Sequence, residues 1–365
     1  MRIDFLTDTY SPDINGAART LRQMVDGVKS EGWEVRVIGP HADSSLAMMS
    51  FRVPKYSSVN VALLRSKTIE EFWSQIRPDV VYIATEAFLG AAGLKAARKM
   101  GIPVIAGYHT NFNQYAKSFK LGWLAQPAVR FLRKFHNKAS ATLVPSDSVK
   151  CELEGFGFEK LHVLGRGVDS ERFHPSKRSD LLREKWGAKD GTPVAIFVAR
   201  ISPEKNLKLL SEAFQALQKK NPETVCVVVG DGPSFVGFQS NNPNVHCQRF
   251  LQGRELAEAY ASADILVFPS LTETFGNTIT EGLASGLVVV GFDYAAIQMH
   301  VCDGENGFCV PFGREEDFLR KCEKALDEVS NIDLRNAAVE SVRDVTWDRV
   351  TQRFRKLCES LVERV

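Results

Sequence analysis

Glu273 and Glu281 stand on either side of Gly276 in the stretch LTETFGNTITEG, with seven residues between them. Two acids around a glycine turn, followed by small and β-branched residues, sit where a helix is expected to begin. The opening amides of a helix are unpaired and its dipole is positive there, so that point favours an anion. A ligand phosphate suits Gly276, Asn277 and Thr278, and the carboxylates must then do something else. Carboxylates accept paired hydrogen bonds from vicinal diols. One glutamate is therefore expected to hold hydroxyls on a sugar and the other those of a ribose, with a diphosphate between them. Phe275, in the same turn, is included among the expected donor-binding residues. Read singly, each glutamate also fits a surface or capping role, and Asn277 or Thr278 fits a plain helix cap.

Further candidates follow other apolar runs. ARISPEKN places Arg200 and Lys205 in one loop, a planar fork and a mobile point charge that together suit a diphosphate. GDGP contributes Gly230 and Gly232, which let the backbone approach a ligand or a neighbour. In the first half, Asn15-Gly16 is a turn leading into a helix, and Gly16 leaves room for a sugar or phosphate. GYHTNF puts His109 directly after another run. No D-x-D occurs, so the sequence suggests no metal bridging a diphosphate and no cofactor.

The elements that must position these residues are short apolar runs alternating with helix-length stretches. The runs are expected as strands at 3–6, 35–38, 80–84, 104–106, 142–144 and 162–164, then at 194–198, 225–229, 265–268, 287–290 and 308–310. Strand–helix alternation implies right-handed crossovers and parallel, doubly wound sheets. In such α/β sheets ligands bind beyond the carboxyl ends of the strands, where the candidates above lie. The pattern occurs twice, with a polar, proline-bearing linker near residues 173–177. Two Rossmann-like domains facing each other across a cleft are expected, over residues 1–172 and 173–349, with hinge closure between them.

Composition narrows the partners. At 44% hydrophobic and 25% charged the chain reads as a soluble globular protein, and a net charge of +2 offers no global attraction to nucleic acid. Seven scattered cysteines with no C-x-x-C pair suit a reducing cytosol better than a disulfide frame or zinc site. The opening MRIDFLTDTY reads as a strand rather than a signal peptide, and no apolar run is long enough to span a membrane, so a cytoplasmic location is expected. One segment points to a membrane surface. Residues 87–146 contain no Asp or Glu but nine cations: Lys95, Arg98, Lys99, Lys117, Lys120, Arg130, Arg133, Lys134 and Lys138. Over residues 117–138 they alternate with Phe119, Trp123, Leu124, Phe131 and Phe135. Such a segment suits either an anionic membrane face or a helix half in the core.

Taken with NGAART, GRGVD, VVGDGP, YASADILVFPS and NGFCVP, these motifs resemble retaining glycosyltransferases of family 4 over nearly the whole chain. The flavour is that of lipid-directed mannosyl-, glucosyl- and sulfoquinovosyltransferases. The resemblance implies the GT-B architecture and a final helix, about residues 350–365, returning to the first domain. It implies that Arg200 and Lys205 neutralise the donor diphosphate, that Glu273 holds the donor sugar and Glu281 the ribose. Gly276, Asn277 and Thr278 would contact phosphates and sugar, and His109 and Gly16 would reach the donor from the first domain. Ala17 stands where the family often has a second glycine. The implied reaction moves a mannose- or glucose-type sugar from a GDP- or UDP-sugar to an acceptor hydroxyl of a glycolipid or cell-envelope glycan, by front-face attack without a protein nucleophile. The alternatives are a nucleotide-sugar epimerase or phosphorylase on the same architecture, a glycoside hydrolase using the two glutamates, or a non-catalytic nucleotide-sugar sensor.

Overall fold

The computed structural model describes residues 1–10, 16–40, 46, 48–53, 56–109 and 122–364. The chain divides into two compact units, Met1–Gly167 with Trp347–Val365, and Val168–Thr346. The divisions fall at 167/168 and 346/347, against the expected 172/173 and 349/350.

In the first unit six parallel strands form one sheet: β1 (Arg2–Leu6), β2 (Glu34–Ile38), β5 (Val80–Ile83), β6 (Val104–Gly107), β7 (Ala141–Val144) and β8 (Leu161–Val163). Their order is β2-β1-β5-β6-β7-β8, so direction of winding reverses at β1. Runs such as VVYI and VIAG are buried at every position because helices cover both faces. A two-stranded antiparallel hairpin, β3 (Met49–Val53) and β4 (Tyr56–Leu63), was not expected from the sequence. Met49, Phe51 and Leu63 are exposed while Ala62 is buried, so it lacks the continuous buried run that announces a core strand.

The final helix, Trp347–Val362, completes this unit. It buries Val350, Phe354, Cys358 and Leu361 at three- and four-residue spacing. Phe354 lies 6.1 Å from the Phe5 ring and 5.6 Å edge-on to Tyr82, in the same cluster as Ile3 and Val80. Packing against the helix Gly16–Ser30 is close: a Cβ at Gly27 would stand 2.2 Å from Thr351 Oγ1.

The second unit repeats the design with β9 (Val194–Val198), β10 (Val225–Val229), β11 (His246–Gln248), β12 (Ile265–Phe268), β13 (Val288–Phe292) and β14 (Phe308–Val310), all parallel. The order β11-β10-β9-β12-β13-β14 places the reversal between β9 and β12. β11 escaped the sequence reading because it is short and its HCQ is polar. Helices follow the usual logic: Leu207–Lys220 buries Leu209, Leu210, Ala213, Phe214 and Leu217 and ends on Lys219 and Lys220, which complement its dipole.

Candidate active site

Ligands of doubly wound sheets sit at the carboxyl ends of the strands that flank the reversal. In the second unit these are β9 and β12, and the loops that follow them carry Arg200 and Lys205 on one side and Glu273 on the other. Arg200 is exposed just beyond β9. Lys205 closes a short turn, Pro203–Lys205, and its side chain crosses to the loop after β12. There its ammonium pairs with Glu273 Oε1 and lies 3.4 Å from Ser270 Oγ, which in turn donates to the same glutamate oxygen at 3.0 Å. The two loops are also joined through the backbone, Leu271 N donating to Glu204 O at 3.2 Å.

Gly276 precedes the helix Asn277–Ala284 with φ 98°, a conformation that favours glycine. Space is not the reason for the glycine, since a Cβ would meet Ala296 Cβ at an ordinary 3.5 Å. As the N-cap residue, Gly276 has no side chain with which to cap this helix start. Thr278, a possible cap by sequence, instead donates through its hydroxyl to Val198 O at 3.1 Å and ties the helix to the end of β9. The helix start therefore faces the same strand ends as the two cations, an arrangement suited to an anion. Phe275 is fully buried beneath the turn, its carbonyl accepting from Ala296 N at 2.8 Å. Glu281 is only 6% exposed and accepts a 2.9 Å hydrogen bond from the Tyr260 hydroxyl. Ser270, Tyr260 and Tyr294 were not singled out by sequence. The one signal for Ser270 was its place two residues past an apolar run.

Gly230 and Gly232 serve a neighbour. A Cβ on Gly230 would stand 1.8 Å from Ala199 O, and one on Gly232 2.3 Å from Ile201 O. The turn packs on the backbone of the cationic loop, with Ile201 N donating to Asp231 O at 3.0 Å. Gly230→Ala, at φ 148°, is expected to cost about 3 kcal/mol, combining a strained conformation with overpacking. Gly191→Ala, at φ 75° with nothing within 4 Å, isolates the conformational part and should cost about 1 kcal/mol. Denaturant midpoints at constant slope measure both.

In the first unit, Gly16 opens the helix Gly16–Ser30 and is exposed. His109 follows β6, and its Nε2 lies 2.7 Å from the Tyr82 hydroxyl. Gly107 makes room for the pair, since a Cβ there would stand 2.1 Å from that hydroxyl. Burial, reinforced by the positive charge of Arg166 and by His136, pushes His109 down to about 3. The imidazole is therefore neutral at physiological pH and presents one donor and one acceptor. The unfolded chain takes up this proton near pH 6.5 and the folded chain does not, so acid favours unfolding. The stability of the wild type is thus expected to fall, relative to His109→Asn, as pH drops from about 6.5 toward 4. Parallel urea titrations across that range check it; identical slopes would contradict it.

Residues 178–344 match the family described as Glycosyl transferases group 1, and residues 14–172 match Glycosyltransferase Family 4. A GDP-mannose-dependent alpha-mannosyltransferase of Mycolicibacterium smegmatis is 33% identical over 306 residues, 80% of each chain. The chain belongs to glycosyltransferase family 4. A sulfoquinovosyl transferase of Arabidopsis thaliana is 31% identical across 95% of this chain and 69% of its own. Among solved structures, a sucrose-phosphate synthase of Thermosynechococcus elongatus superposes over 100% of both chains with a TM-score of 0.81 at 16% identity, a likeness of fold. The protein is thus a hexosyltransferase of the GT-B class built from two Rossmann-like domains.

Proposed function

We propose that this family 4 enzyme moves a hexose from a nucleotide-sugar to an acceptor hydroxyl with retention of anomeric configuration, and that GDP-mannose is its first donor. The observation that carries the reading is the Lys205–Ser270–Glu273 contact at the reversal of the sheet, beside Arg200 and a helix start with glycine at its N-cap. The chemical problem is the charge that develops on the departing diphosphate. Arg200, Lys205 and the Gly276–Thr278 amides answer it with preorganised positive charge and need no metal. Glu273 holds the sugar and stabilises positive character at its ring. Glu281, oriented by Tyr260, takes the ribose. GDP-mannose ranks first because the mannosyltransferase is the relative of higher identity.

The acceptor is a glycolipid or cell-envelope glycan met at an anionic membrane face. The helix Gly122–His136 supports this reading. Phe135 and His136 are buried in the core, while Arg130, Phe131, Arg133 and Lys134 are exposed together. Lys117, Phe119 and Lys120 lie outside the described residues, and the side chains of Trp123 and Leu124 are not described. Among the described residues no helix is long and apolar enough to cross a membrane. Nucleotide release is measured with GDP-mannose and UDP-glucose, each with vesicles carrying glycolipid extracts. Transfer from GDP-mannose with an α-linked product supports the reading. Release with neither donor, or an inverted product, rejects it.

A further inference from the structure

We infer that Ser270 is the positioning residue that keeps Glu273 aimed at the donor once Lys205 has turned to the diphosphate. This rests on the nucleotide-sugar reading above. Both hydrogen bonds that Glu273 receives among the described residues converge on one oxygen, Oε1, from Lys205 Nζ and from Ser270 Oγ at 3.0 Å. Oε2 is left for a ligand. Lysine carries three donors on a flexible stem, and its charge is needed at the phosphates. A diphosphate therefore competes with Glu273 for the ammonium. When Lys205 turns, the carboxylate keeps only Ser270.

Ser270 is built to stay in place. It is 1% exposed, and its carbonyl accepts the Tyr294 hydroxyl at 2.8 Å. Tyr294 is itself braced edge-on by Phe312 at 5.3 Å. The serine hydroxyl has one proton and two acceptors in reach, Glu273 Oε1 at 3.0 Å and Thr272 O at 3.3 Å. The nearer is the carboxylate, which forms the stronger, charge-assisted bond. Donor binding then transfers the lysine from acid to phosphate while the acid keeps its direction. That couples neutralisation of the leaving group to exposure of the negative charge facing the sugar.

Three measurements on the full chain test this. With Ser270→Ala, kcat should fall about 10- to 100-fold, the loss of one hydrogen bond to a charged group. Its Kd for GDP should stay within about twofold of wild type, because Arg200 and Lys205 remain. Ser270→Thr, which keeps the hydroxyl, should recover most of kcat. A ligand-free crystal structure of Lys205→Ala should keep the Glu273 carboxylate in place, and one of Lys205→Ala/Ser270→Ala should show it rotated. Unchanged kcat, an equal loss of GDP affinity and kcat, a carboxylate displaced in Lys205→Ala, or one unmoved in the double variant would each overturn the role of Ser270. If instead the wild type neither binds GDP or UDP nor transfers a sugar, the nucleotide-sugar reading has failed, and the two crystal structures still decide whether Ser270 sets Glu273.

Discussion

Lys205→Ala is expected to lower turnover by about 100-fold or more, and Arg200→Ala by a similar factor, with both chains folded. Removing one preorganised charge that faces a developing anion typically costs on the order of 3 kcal/mol of transition-state stabilisation. The lysine change has a second consequence. Glu273, whose side chain is only 16% exposed, loses its cation and stands half-buried with Ser270 alone. That stranded acid lowers the stability of the free enzyme, whereas in the donor complex the wild-type Glu273 also keeps only Ser270, so the turnover loss belongs to the missing charge. A cycle with Glu273→Gln on unfolding stability isolates the first effect: the lysine and glutamate changes should be far from additive, because they remove the same contact. Steady-state kinetics with GDP-mannose measure the turnover loss. Turnover within about fivefold of wild type for both single variants would show that the leaving group is stabilised elsewhere.

Asp264→Ala is expected to destabilise the second unit by about 3–5 kcal/mol while leaving kcat per folded molecule intact. Asp264 precedes β12, at the end of the sheet remote from the strand ends that carry Arg200 and Glu273. Its carboxylate is 7% exposed and is surrounded by Arg178 at 3.1 Å, Arg183 at 3.2 Å and Arg335 at 3.7 Å. It also accepts Val194 N at 2.9 Å. Arg183 is 5% exposed, so removal of the acid strands a buried guanidinium. Asp264→Asn keeps the shape and the backbone hydrogen bond and should lose less. Denaturant unfolding followed in the isolated variants measures both. A loss under about 1 kcal/mol for the alanine variant would mean that the arginines find water.

The two sheets were legible because parallel strands buried on both faces must be written as runs of Val and Ile, as in VAIFV and VCVVV. The hairpin over 49–63 was not, since its exposed Met49 and Phe51 follow no buried pattern. At the site, residue types at strand ends pointed to Arg200, Lys205, Glu273 and the Gly276 turn. Partnerships were hidden. Lys205 and Glu273 are 68 positions apart, and their contact follows only from the strand order that sets β9 beside β12. The Tyr260 bond to Glu281 and the fit of Gly230 against Ala199 belong to packing between separate loops, which local periodicity does not encode.

The return of the helix Trp347–Val362 to the first unit inverts the order in which the polypeptide matures on the ribosome. Residues 168–346 emerge later than Ile3 and Phe5, yet they alone contain everything their own unit requires. The beginning of the nascent chain must wait with its apolar interior open until Phe354, Cys358 and Leu361 have been synthesised. A premature stop near residue 346 would accordingly leave the last-made unit whole and expose the first-made one to proteolysis and aggregation.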